Sequence, residues 1–419
     1  MTTVHPTPAP AEASSPAGGQ AAHRGRLLSL DVMRGLTILA MILVNNPGDW
    51  GQMYWPLGHA DWHGLTPTDL IFPFFLFMVG VAMAYSFAKY TGERGRPTPA
   101  VWRRIARRVF SLIALGLLLN ASGRLISVPL GYSDSWDWAT LRWPGVLQRI
   151  GLAYLFGSVI VLTLGARGQA VAAVGLLVLY SLLLDFAPPD VPPAERMTPT
   201  GNIVRVVDVA VIGEPHMWTQ ATSHPTDPEG LLSTLPSIVT VLIGYAVGRR
   251  LRGADAAGGR TLIGLLAVGG LLAAAGWLWH NGPHPGWGQY VNKALWTPSF
   301  VLVSGGLGMV CLAACLAVFD RYGRESPRVR RVATAFEVVG VNAIFVFVAS
   351  GFVARALTVF RVSDRTLKDW IYTNGFVEPL HTVGLNDPRL ASVAYACWFV
   401  ACWWLLLAWM WSRGWTIRV

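Results

Sequence analysis

The residues best suited to proton chemistry lie in one polar stretch between two apolar segments, LVNNPGDWGQMYWPLGHADWHGLTPTDLIFPFFLFMVG, which spans 43–80. His59 is the main candidate, because an imidazole with an unperturbed pKa of about 6.5 exchanges protons readily at neutral pH. Asn45 ends the first apolar segment, and its amide could hold a carbonyl oxygen or a developing oxyanion. His63 is a second candidate base, for which a structural role is the better interpretation. We interpret the stretch as an active-site loop with His59 as the reacting base.

Two of these residues also have purely structural interpretations. Thr66-Pro67-Thr68-Asp69 is typical of a helix start, with a capping residue, then proline, then an acid. That pattern alone accounts for Asp69, which could equally orient His59 or bind a substrate ammonium group. Asn45-Asn46-Pro47-Gly48 is a strong helix stop signal, so Asn45 could serve only to end a helix.

The composition predicts the elements that position this loop. Of 419 residues, 53% are hydrophobic and only 13% are charged, which is about half the charged fraction of a soluble protein. Several apolar runs reach the roughly 20 residues that a helix needs to cross a bilayer. We therefore predict an all-α polytopic membrane protein with about ten transmembrane helices, at about 27–46, 70–90, 101–121, 145–165, 168–187, 231–251, 261–280, 295–319, 332–357 and 390–412.

The basic residues predict the orientation. Most of the 33 Lys and Arg fall in short segments on one side of the predicted spans, which marks that side as cytoplasmic and places both termini there. This distribution also explains the net charge of +10 without a nucleic-acid partner. Residues 1–26, rich in Pro, Ala and Gly, are predicted to be a disordered cytoplasmic tail. The transmembrane domain then covers 27–419, with external loops at about 47–69 and 188–229.

Six segments resemble one known family, in order along the chain. They are RLLSLDVMRGLTILAMILVN from Arg26, GHADWHGLTPTDLIFPFFLFMVG from Gly58, WPGVLQRIGLAYL from Trp143, DPEGLLSTLPSIVTVLIGYAVGRRL from Asp227, VNKALWTPSFVLVSGGLGM from Val291 and, more weakly, VVGVNAIFVFVASGFV from Val338. The family is that of the heparan-α-glucosaminide N-acetyltransferases. The resemblance implies an enzyme that takes acetyl-CoA from the cytoplasmic side and acetylates an amino sugar or glycan across the membrane, with no metal. By position, His59 matches the family's active-site histidine and Asn45 an asparagine near it.

Five further residues are candidates for binding the substrate or CoA. Arg149 and Gln148 lie near the outer end of the fourth predicted span, where a charge is expensive and needs a partner or a cavity. Arg149 could pair with Asp69 or meet an anionic part of CoA or the sugar. Lys293 could contact a ligand or anchor a span, and Glu229 could contact a ligand or only favour a helix start.

The CoA phosphates require cations at the inner face. Arg34, the fifth candidate, could pair with Asp31 or face this entrance. Other candidates for phosphate contacts, which could equally be membrane anchors, are Arg103, Arg104, Arg107, Arg108, Arg249 and Arg250. About 30 Å of hydrocarbon separates this face from His59. We therefore expect CoA to insert between the helices and the outer loop to fold back towards it.

Several alternatives stay open from the residues alone. His59 could act as a general base in direct transfer, which we favour, or carry the acetyl group covalently. The protein could instead be a membrane O-acyltransferase for a periplasmic glycan, because LDVMRG also resembles such enzymes. A transporter is the third class, although 27–250 and 260–412 do not repeat each other. The protein could also form a homodimer, and its predicted location is the inner membrane if it is bacterial.

Overall fold

The computed structural model describes residues 27–91, 95–132, 137–218, 226–253, 255–280, 289–323 and 325–417, so the predicted tail at 1–26 lies outside the described residues. The all-α prediction is confirmed. The helices are α1 (Leu28–Asn45), α2 (Ile71–Ser86), α3 (Pro99–Ser127), α4 (Val146–Thr163), α5 (Ala166–Phe186), α6 (Ile203–Ile212), α7 (Thr234–Arg252), α8 (Gly259–His280), α9 (Pro298–Cys315), α10 (Pro327–Val341), α11 (Ala343–Val359), α12 (Leu367–Tyr372), α13 (Glu378–Thr382) and α14 (Pro388–Ser412). A short hairpin pairs β1 (Arg361–Val362) with β2 (Arg365–Thr366).

Each of the ten predicted spans contains a helix, but not every one is a simple span. In the described part of the chain, eight helices are long and apolar enough to cross a membrane, or nine if α10 and α11 form one span. The predicted helix at 332–357 is instead bent by 70° between α10 and α11. Helix α7 is not among these eight helices, because Arg249, Arg250 and Arg252 in its last turn make it less apolar.

Helices α2 and α7 pack directly backbone to backbone, and this contact brings the His59 loop close to the segment before α7. A Cβ built on Gly80 would lie 2.0 Å from the Val241 carbonyl oxygen, and one on Gly244 would lie 2.0 Å from that of Phe77. In a bilayer the hydrophobic effect does not drive helices together, so small residues that permit close packing largely determine which helices associate. These glycines therefore fix the relative position of the two helices.

Replacing Gly80 with alanine should separate α2 from α7 and lower both thermal stability and activity. Overpacking of a tight contact typically costs about 1–3 kcal/mol. The matched control is Gly264→Ala on α8, where an added Cβ meets nothing within 4 Å. Thermal unfolding of the two purified variants measures the difference. Equal melting temperatures would contradict the assigned role of the glycine contact.

Candidate active site

Asp69 links the polar loop to the start of the second span. A 3₁₀ turn, Pro67–Leu70, leads into α2 and places Asp69 at its third residue. The Oδ2 atom accepts hydrogen bonds from the backbone N–H groups of Thr66 (3.0 Å) and Ala60 (3.1 Å). The Oδ1 atom lies 2.7 Å from Nδ1 of His59. One carboxylate therefore caps the turn and also contacts the imidazole.

The contact with Asp69 determines which nitrogen of His59 is available for chemistry. A buried carboxylate accepts hydrogen bonds, so Nδ1 carries the proton and donates to Oδ1. Nε2 is then left with its lone pair. The His59 side chain remains 49% exposed, whereas that of Asp69 is only 2% exposed. This buried acid next to an exposed imidazole is the arrangement that a general base requires.

Lys293 completes the cluster from a distant part of the chain. Its Nζ atom lies 3.1 Å from Nδ1 and 3.3 Å from Nε2 of His59, and 3.6 Å from Oδ1 of Asp69. The loop before α9 that carries Lys293 is tied to the first loop, because the Gly64 N–H donates to the Val291 carbonyl at 2.8 Å. Burial lowers the pKa of Lys293, while Asp69 and Glu229 act to raise it.

Arg149 is buried, but the structure does not place it beside Asp69. It donates to the Gly230 carbonyl at 2.9 Å and to the Ser233 hydroxyl, and its guanidinium lies 5.1 Å from the centre of the Trp296 ring. The possible pairing of Arg149 with Asp69 is therefore wrong, since Lys293 occupies that place. Arg149 instead holds the segment before α7 against α4.

Gln148 also has a local role in the structure. Its Nε2 donates to the Trp143 carbonyl at 3.0 Å, and the side chain fills the space that Gly116 and Gly145 leave open. These contacts stabilise the entry to α4. No contact brings Gln148 to His59 among the described residues, so its assignment to binding gains no support.

Sequence reasoning missed Arg142, which is the centre of an ionic cluster. Its guanidinium contacts the Asp227 carboxylate at 2.6 and 2.8 Å and that of Glu229 at 2.6 Å, and it lies 4.8 Å from the centre of the Trp218 ring. Burial would raise the pKa of Glu229, but Arg142, Arg149 and Lys293 hold it below its usual value. The two acids on either side of Pro228, Asp227 and Glu229, were the sequence signal that a cation would pair with this segment.

A cavity of about 580 Å³ lies beside this cluster, and we name it the outer cavity after the orientation that the sequence predicts. Its wall includes Asn45, Arg142, Trp218, Arg355, Lys368 and Tyr395. Helix α1 ends at Asn45, but Asn46 provides the side-chain contact that closes the helix, because its Nδ2 donates to the Ile42 carbonyl at 2.7 Å. Among the described residues the Asn45 amide has no hydrogen-bond partner, so it is available to a ligand.

A second cavity of about 340 Å³, the inner cavity, contains Arg34 and Arg108 in its wall. Arg34 pairs with Asp31 at 3.1 Å, as expected, and it also lines this cavity. The Nε atom of Arg108 is buried without a partner in the described structure. Both cavities are lined by α1, α3 and α11. Arg34 and Asn45 lie about 16 Å apart along α1 by helical rise.

Comparisons with known proteins show the family of this chain. A family model described as heparan-alpha-glucosaminide N-acetyltransferase, catalytic, matches residues 26–280, which include Asn45, His59, Asp69 and Arg142. The chain belongs to this family. It is 29% identical over 366 residues to the heparan-alpha-glucosaminide N-acetyltransferase of Homo sapiens, and 27% identical over 372 residues to that of Mus musculus. Each match covers 77% of this chain but 52% or 53% of the relative, so the chain spans about half the length of these relatives.

Beyond the matched region lie Lys293 and the part of the outer cavity formed by Arg355, Lys368 and Tyr395. The cluster therefore joins two regions of the chain. His59 and Asp69 come from the matched region, and Lys293 comes from the segment that follows it.

Asp208 near this site provides a pH-dependent test of the fold. It is fully buried in α6, and its Oδ1 accepts from the N–H groups of Leu231 (2.9 Å) and Leu232 (3.0 Å). Its Oδ2 has no partner within the described structure, and burial raises its pKa to about 6. An ordinary aspartate titrates near pH 4, so the folded state holds this proton more tightly than the unfolded state.

The stabilisation from protonated Asp208 should be complete below about pH 4 and should be lost as the pH rises through about 6. Asp208→Asn keeps a carbonyl acceptor for both N–H groups and carries no charge. We expect the wild type to lose about 1–3 kcal/mol relative to this variant over that interval. Melting temperatures of both proteins from pH 4 to 8 measure the effect. Parallel curves would contradict the prediction.

Proposed function

We propose that this protein transfers an acetyl group from cytoplasmic acetyl-CoA to the amino group of an amino sugar or glycan on the opposite side of the membrane. The observation that carries the proposal is the Asp69–His59 pair, which leaves the Nε2 lone pair of a half-exposed His59 to accept a proton, with Lys293 Nζ 3.3 Å from it. The family and the names of its relatives favour an N-acetyl transfer to a glucosaminide.

His59 acts as the general base in this scheme. As the acceptor nitrogen attacks the thioester carbon, Nε2 takes its proton, a C–N bond forms and the C–S bond breaks. The proton then passes to the departing CoA thiolate. Asp69 holds the Nδ1–H group and stabilises the imidazolium that forms. Lys293, whose pKa burial lowers, lies 3.3 Å from Nε2. General base catalysis of this kind contributes a factor of about 10²–10⁴.

The outer cavity is the proposed meeting place of the thioester and the acceptor. The free amide of Asn45 can donate to the thioester carbonyl, whose oxygen gains negative charge during attack. Trp218, which is half-buried in this wall, offers a flat apolar surface for a sugar ring. Arg142 connects this wall to Glu229, whose pKa Lys293 helps to lower, while His59 itself is not among the residues that line the cavity.

The inner cavity is the proposed entrance for the donor. Its chemistry fits a phosphate-bearing ligand, because Arg34 and Arg108 line it and Arg108 has a buried Nε atom without a partner among the described residues. The two cavities lie between the same helices, α1, α3 and α11, and the proposed donor path runs between these helices from the inner cavity to Asn45. The bend between α10 and α11 lies between Val341 and Ala343, and both of these residues line the inner cavity. The bend interrupts the helical packing there.

The proposal is tested by the release of free CoA from acetyl-CoA by the purified protein. We expect release with glucosamine and none with glucose, which presents hydroxyl groups alone. Equal release with both sugars would favour an O-acyltransferase. The absence of acetyl-CoA binding in calorimetry would contradict an acyltransferase of either type and favour transport.

A further inference from the structure

A basic cleft on a different flank of the molecule has no part in the proposed reaction. It has a volume of about 480 Å³ and lies between the segment after α2, the junction of α4 with α5, and the last turns of α7. The residues that carry the argument are Arg96, Arg249, Arg252 and Leu164. No described residue of α1 or α11 lines it, so the cleft is separate from the proposed donor path.

The charge in this cleft lacks a described counter-ion. Arg249 lies 3.5 Å from the Gln169 side-chain oxygen, and Arg252 donates to the Ala84 carbonyl, both of which are neutral acceptors. The Arg96 side chain is exposed and makes no contact among the described residues. No described carboxylate lines the cleft. Three guanidinium groups around one concave surface favour an anionic ligand.

The apolar surroundings of the cleft indicate the kind of ligand. Helix α5 begins at the edge of the cleft. Only 11% of the residues in its most apolar 18-residue stretch are buried inside the protein. Apart from Arg167 in its first turn, its exposed side chains are apolar and include Val171, Val174, Val178, Leu179 and Leu182. Leu164 at the cleft itself is 41% exposed. Such a surface suits lipid chains, and the cleft lies at the end of the spans, where lipid headgroups begin.

We propose that this cleft binds an anionic phospholipid, with the headgroup phosphate on Arg96, Arg249 and Arg252 and the acyl chains along α4 and α5. Basic pockets between transmembrane helices are suited to such headgroups. The lipid occupies a position distinct from the proposed CoA path. It therefore affects the position of the enzyme in the membrane and not the binding of CoA.

Native mass spectrometry of the purified full chain tests the proposal, with titration of phosphatidylglycerol against phosphatidylcholine. We expect preferential binding of phosphatidylglycerol, and about tenfold weaker binding in the double variant Arg249→Gln, Arg252→Gln. The matched control is Arg328→Gln, Arg330→Gln, which removes the same charge from exposed positions on α10. The control should bind like the wild type. Equal loss in both double variants, or no lipid preference, would overturn the proposal.

Two further measurements distinguish a lipid site from a nucleotide site and from a general loss of stability. Arg96→Gln breaks no described contact, so it should weaken phosphatidylglycerol binding with no change in melting temperature. Unchanged binding in this variant, with loss only in a destabilised double variant, would overturn the proposal. Added CoA should leave the bound phosphatidylglycerol in place, whereas its displacement would assign the cleft to the nucleotide of the donor.

Discussion

Replacement of His59 with alanine should abolish acetyl transfer while acetyl-CoA still binds. The variant loses the Nε2 lone pair that accepts the proton of the attacking amine, so the rate should fall by about 10²–10⁴. The contacts assigned to the donor, in contrast, come from Asn45, Arg34 and Arg108 and not from His59. Initial rates with labelled acetyl-CoA measure the loss, and calorimetry measures the retained binding.

The control for this variant is His381→Ala in α13, where the histidine is exposed and its side chain makes no contact among the described residues. We expect this protein to transfer acetyl groups at the wild-type rate. A His59→Ala enzyme that retains full turnover would exclude His59 as the base. A covalent acetyl-histidine would instead show itself as a burst of CoA release without acceptor in the wild type.

Asp69→Asn should be nearly as damaging, for a different reason. The asparagine oxygen can still accept hydrogen bonds from the N–H groups of Ala60 and Thr66. The amide nitrogen of the asparagine must then face Nδ1 of His59. An amide N–H donates to Nδ1 and forces the proton onto Nε2, which can then no longer accept one. In a comparable carboxylate–imidazole pair, this change of tautomer costs about 10⁴ in rate. We expect kcat to fall by about 10²–10⁴ with little change in melting temperature.

Asp61→Asn is the matched control for this second variant, because Asp61 lies in the same loop, is exposed and makes no contact among the described residues. Its activity should equal that of the wild type. If Asp69→Asn lost activity only in proportion to a loss of folded protein, Asp69 would be a helix cap and nothing more.

Local signals allowed the first half of the site to be predicted. His59 and Asp69 are ten residues apart, and the capping pattern at Thr66 places the carboxylate where the turn begins. The helices could be predicted because their apolar runs are continuous. Such a run is a strong signal that a helix is present and a weak signal of whether that helix is bent. The bend between α10 and α11 was missed because the apolar run continues through it, without a proline at the break.

The second half of the site depends on tertiary contacts that no local pattern encodes. Lys293 was a candidate, but its place beside His59 joins residues 234 positions apart. Arg149 was assigned a possible partner, Asp69, that the packing of α4 against the segment before α7 does not permit. Arg142 was missed because an arginine in an external loop is usually solvated. Burial of the Asp227 and Glu229 carboxylates turns it into a structural cation.

The most direct test of the proposed reaction is the sidedness of transfer in proteoliposomes. Labelled acetyl-CoA is supplied only at the face that carries the inner cavity, and glucosamine is supplied only at the face that carries His59. We predict acetylated glucosamine in the second compartment with the wild type and none with His59→Ala. Transfer only when acetyl-CoA and glucosamine share one compartment would contradict the proposed transmembrane reaction.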